Sequence, residues 1–224
     1  MIILLFLSSL FASTVTVKGT CIKAVVPDRA SVEFQVITKD PKNPQVAVKE
    51  TINRMQKLTA KMKGLNLPDG ELMTTSFQVN EINEWDGQKQ VFKGYQSSQS
   101  LKVISSNFEK ISESMSLASS LGVNSIHNFS TFLSPALYQA EYKKCLQSSV
   151  GMAQEKATLI AESLNKQIKD LVLTLESGSR APETSMVRNA KMSESSVESF
   201  SSSPDIQAGS ILINAEVEST YNLK

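Results

Sequence analysis

With 224 residues, 41% of them apolar and 20% charged, the chain has the composition of an ordinary globular protein, and disorder throughout its length is excluded. It is long enough to bury a core as one domain or two small ones. Twenty-three Lys and Arg stand against 22 Asp and Glu, a net charge of +1, and no basic cluster is interleaved with aromatics, so no nucleic-acid partner is expected.

Residues 1–12 form an uncharged apolar run that includes Ile2, Leu4, Phe6, Leu10 and Phe11. It is too short to cross a bilayer as a helix and fits the hydrophobic region of a signal peptide over 1–14, with cleavage near Ala12 or Thr14. The competing reading is a buried first strand, against which Ser8 and Ser9 break the alternation. Next, 15–23 and 31–37 alternate apolar and polar residues as half-buried strands do, with Pro27 and Asp28 between them. Asn43 and Pro44 offer a cap and a first-turn proline to a helix, whose Val48, Thr51, Met55, Leu58, Met62 and Leu65 recur at helical spacing until Gly64 and Pro68. Period two returns over 72–82 and 90–104, with Asp86-Gly87 as the turn of an antiparallel hairpin.

Asn107 caps a second helix that turns Ile111, Met115 and Ala118 to one side and ends at Gly122; 123–133 reads as another strand. Ser134-Pro135 opens the longest helix, to about Leu164, with Asn165 as a left-handed stop. Ala136, Ala140, Ala153, Ala157 and Ala161 give this helix a small-residue face suited to close approach by a sheet or another helix. Closing strands are expected at 168–175 and 210–221, separated by a serine-rich stretch over about 177–208 that has too few apolar residues to pack. That stretch is expected to be a mobile surface loop. Its core, 179–205, is expected to be dispensable for folding, with Met186 and Met192 open to reversible oxidation. The predicted fold class is α+β: a largely antiparallel sheet with two shorter helices and one long helix packed on it, forming a single domain over 15–224.

Little in the chain carries chemistry. His127, the single histidine, lies in a predicted strand with no second ligand at metal spacing and reads as structural or surface. No phosphate-binding glycine loop occurs. Carboxylates are dispersed; Glu81 with Glu84 would be the acid pair of a hydrolase, or simply a solvated hairpin. No catalytic residue, cofactor or metal is assigned, and binding or assembly is favoured over catalysis. Trp85, beside the hairpin turn, is the candidate interaction residue. Cys21 and Cys145 are too few for a disulfide framework and stay open between two readings, one disulfide in an oxidising compartment or two separate packed thiols.

Several short motifs in order carry a resemblance. They are VTVKGT at 15–20, Pro27-Asp28, TTSFQV at 74–79, Gly94-Tyr95 before LKV at 101–103, Gly122 with Ile126, the alanine-spaced long helix, and Ala208-Gly209 before INAEVESTYNL at 213–223. In these the chain resembles the SIMPL domain family, exported bacterial proteins that include periplasmic immunogenic antigens and outer-membrane-associated oxidative-stress proteins. Thr20 departs from the family's glycine-rich opening, and Asn165 stands where a glycine often ends the long helix. The resemblance implies a periplasmic or outer-membrane-associated protein, held at a membrane without spanning it if at all. It implies a homo-oligomer, since some members form ring-like or channel-like assemblies, with an envelope protein as a further partner and a role in oxidative or envelope stress. The alternatives are a hydrolase using dispersed carboxylates and a monomeric periplasmic binding module.

Overall fold

The computed structural model of the chain describes residues 13–68, 70–177 and 208–224. Residues 1–12 of the expected leader, Met186, Met192 and the 179–205 stretch lie outside the described residues. Among those described, the elements run β1 (Thr14–Val25), β2 (Arg29–Asp40), α1 (Pro44–Lys63), β3 (Glu71–Trp85), β4 (Gln90–Ser105), α2 (Phe108–Ser120), β5 (Ser125–Phe132), α3 (Pro135–Ser163), β6 (Ile168–Glu176) and β7 (Ile211–Leu223). Order and kind match the sequence-based expectation. The strands do not form one sheet, however. They fall into two antiparallel sheets, β3-β4-β2-β5 and β1-β7-β6, in two compact units.

The four-stranded unit is built by β2 to β5 with α1 and α2. Alternation puts Val32, Phe34 and Val36 of β2 beside Leu101 and Val103 of β4, all on the face that receives Met55, Leu58 and Met62 of α1 and Ile111 of α2. On α1 the row is Ala47, Thr51, Met55, Leu58 and Met62; Val48, expected in it, sits beside it and is only half-buried. Both helices start where their asparagines are: the Asn43 side chain accepts the Gln45 N–H at 2.9 Å and that of Asn107 accepts the Lys110 N–H at 3.0 Å. After α2, Gly122 takes a left-handed φ of 68° and the Val123 N–H reaches back to the Ala118 carbonyl at 3.2 Å, which draws Val123 out of the expected strand and into the cap. Asp86 makes the hairpin turn by accepting the Gln88 and Lys89 N–H groups, both at 2.9 Å. Asp28 accepts the N–H and the hydroxyl of Ser134, both at 2.6 Å, and so ties the entry of this unit to its exit.

In the three-stranded unit β7 is central and pairs with β1 along the whole length of that strand, Thr14 with Asn222 through Val25 with Ile211. Helix α3 lays Glu141, Cys145, Ser149, Ala153, Ala157 and Ala161 on this sheet. Ala136 and Ala140 are exposed, contrary to expectation: the buried row runs in steps of four back from Ala161 to Glu141, and both alanines fall off it. Two residues along a strand advance about 6.6 Å and four along a helix about 6 Å, so every second residue of β1 can meet every fourth of α3. Gly19 lies against Ser149, Cys21 is bonded to Cys145 and Lys23 pairs with Glu141. A β-carbon at Gly19 would run into the Ser149 carbonyl and stand 2.8 Å from the Ala153 nitrogen, so this close approach requires glycine. The expected left-handed stop is present: Asn165 has φ 54°, and the Lys166 N–H bonds the Ala161 carbonyl at 2.8 Å.

Candidate interaction edges

Strand β6 pairs with β7 on one side and, among the described residues, has no strand partner on the other. Leu171, Val172, Leu173 and Leu175 are each 49–55% exposed, on both faces of the strand. The cause is the placing of α3, whose buried row packs on Val15 and Val17 of β1 and on Val217 and Tyr221 of β7, one lane short of the edge. Lys169, Asp170 and Glu176 charge only the ends of the strand, leaving residues 171–175 without a charge. Natural edge strands carry lysines, prolines, inward charges or bulges that discourage pairing; β6 has a register shift between Leu171 and Leu173 but no charge or proline in its middle. On the neighbouring flank of α3, Tyr138 and Tyr142 stack at 5.9 Å and the Tyr142 hydroxyl donates to Glu176.

The second edge belongs to the four-stranded unit. Among the described residues strand β3 pairs only with β4, and Met73, Phe77 and Val79 are each close to half exposed. Between β3 and α1 runs an open groove of about 600 Å³, lined by Ile52, Met55, Gln56, Thr59, Lys63 and Phe77 among others. A second hollow of about 320 Å³, lined by Pro44, Val48 and Lys49 among others, shares Ile52 with the first and extends it along the helix. Trp85, at the end of β3, is 67% exposed.

Cys21 and Cys145 form a disulfide with their Cα atoms 5.4 Å apart. One turn away along α3, Glu141 is gripped by two lysines, Lys144 at 2.6 Å and Lys23 on β1. The Lys144 hydrogen bond, and after it that from Lys23, hold its carboxyl below the usual range against the opposing effect of burial. His127 lies half-buried on β5 with Nε2 3.4 Å from Glu33 and Nδ1 3.3 Å from the Ser125 hydroxyl. Glu81 and Glu84 are both exposed on β3 and, three residues apart, point to opposite faces of it. Among the described residues no three His, Cys, Asp or Glu side chains gather where they could hold a metal ion. Sequence reasoning singled out Trp85 but missed the two edges. The run LVLTL at 171–175 lacks alternation and so looks like a strand covered on both faces; only the strand order places it at a rim.

The model of one protein family, SIMPL, described as a protein of unknown function (DUF541), matches residues 15–221. The chain belongs to the SIMPL family. Several residues of the SIMPL-like motifs have visible physical tasks in this fold: Gly19 admits α3, Asp28 holds Ser134, and Gly94, at φ 131°, lies where a β-carbon would be 2.7 Å from the Pro41 Cα. No curated protein matches the chain. Among the described residues no helix of this SIMPL protein is long and apolar enough to cross a membrane.

Proposed function

We propose that this SIMPL protein is exported to the cell envelope and works without catalysis, by assembling with further copies of itself and binding envelope partners in oxidative or envelope stress. The observation that carries the reading is β6, a sheet edge with four half-exposed apolar residues and an uncharged middle. A monomer leaving such an edge bare would invite non-specific strand pairing, and an evolved chain covers it. The Cys21–Cys145 disulfide supports the compartment, since bonds of this kind persist where the surroundings are oxidising. The resemblance of the motifs to exported family members supports it as well.

Light scattering on the mature chain at concentrations in the tens of micromolar tests the reading. A discrete multiple of the chain mass is expected. A monomer across that range would remove assembly and leave a monomeric binding module.

A further inference from the structure

We propose that the β3 edge and its groove receive strand β6 of a second copy, so that the chains join head to tail; this rests on the assembly reading above and names its surfaces. The two edges are complementary in several independent respects. The middle of β3, residues 72–80, carries no charge over nine residues, the length of β6. A strand laid along it would complete the free hydrogen-bonding row of β3, and its alternate side chains would drop toward Phe77, Ile52 and Met55 in the groove. Strand β6 supplies leucines for this at 173 and 175, which share one face through their partners Thr220 and Glu218; the register shift between 171 and 173 turns Leu171 to the other.

Charge selects the same pair. The groove is basic: Lys49 lines its extension and Lys63 its far end, and neither makes an ion pair with a described residue. Asp170, which its register with Asn222 puts on the same face as Leu173 and Leu175, can meet one of these lysines, while Glu176 lies on the other face of β6, bonded to Tyr142. Self-pairing fits less well. Two β3 strands side by side would crowd Glu71, Glu81 and Glu84 against their own copies. Two β6 strands would leave the groove and the β3 edge uncovered. Joining β6 to β3 covers one edge of each sheet, β1 and β5 being the other edge of each, and because the two surfaces differ, the contact is of the kind that closes into a ring or propagates.

Complementation of two defective surfaces tests this. Leu173→Lys places a charge in the middle of β6, and Phe77→Lys places one in the groove; both side chains are about half exposed, so the fold should tolerate the changes. Leu175→Lys and Val79→Lys form a second pair, should either of the first fail to fold by circular dichroism. Each variant alone should be monomeric by light scattering. Their equimolar mixture should give a one-to-one dimer of twice the chain mass, since the first retains an intact groove and the second an intact β6. A Phe77→Lys chain that assembles as the wild type does, or a mixture that stays monomeric beside an oligomeric wild type, would overturn the pairing while leaving assembly standing. A monomeric wild type would remove both.

Discussion

A methyl group added at Gly19 would have nowhere to go, because the atoms it meets are the backbone of α3 at Ser149 and Ala153 and not the movable end of a side chain. Gly19→Ala should therefore force the helix off the sheet and cost at least about 2 kcal/mol, at the upper end of overpacking effects, read as a lower urea midpoint. A loss under about 0.5 kcal/mol would show that the contact yields. Glu141 makes a different prediction. Its carboxyl titrates below its ordinary value of 4.5 in the folded chain, drawn down first by Lys144 and then by Lys23. A depressed folded pKa means that its stabilisation is present above the unfolded value and is lost as pH falls through the folded one. Glu141→Gln should lower the melting temperature at pH 7, and the gap from wild type should close as pH falls below the ordinary value of 4.5. Asp40 and Asp86 are also held low, by the backbone N–H groups of Asn43 and Lys42 and of Gln88 and Lys89 respectively, but they titrate alike in both chains and cancel. A gap that stays constant with pH would mean that the two lysines do not act on Glu141.

At the scale of elements, β1 and α3 are locked by the disulfide, which closes a separation of 124 residues. In the chain-entropy account such a loop is worth about 5 kcal/mol. Replacing both cysteines by alanine should lower the melting temperature by roughly 10–20 °C, measured by calorimetry; an unchanged transition would show that the Glu141 pair and the small-residue row hold the helix unaided. The elements themselves were largely legible in the chain, because their signals are local: alternation for strands, Asn43 and Asn107 as caps, Gly122 and Asn165 as left-handed stops. The partition into two sheets was not. Pro27-Asp28 and Ser134-Pro135 mark the entry to and exit from the four-stranded unit, but nothing in a strand's own alternation says which sheet it joins. The packed face of α3 was half legible for a similar reason: alanine spacing found Ala153, Ala157 and Ala161, whereas Glu141, Cys145 and Ser149 belong to the row only because β1 offers Lys23, Cys21 and Gly19 opposite them. The candidate edges were hidden more completely, since exposure at a rim depends on where α1 and α3 lie and not on the residues of β3 and β6.

For the molecule as a whole, the account rests on β6 being covered in solution by another copy. Hydrogen exchange over residues 171–175, followed as a function of protein concentration, reports this directly, because strand pairing protects amides that a bare edge leaves to solvent. β7 serves as an internal reference, its strand partners on both sides lying within the chain. The account predicts that the outward amides of β6 exchange slowly at tens of micromolar and quicken on dilution toward the monomer, while β7 does not change. Fast exchange along β6 at every concentration, in a chain whose β7 is fully protected, would contradict it.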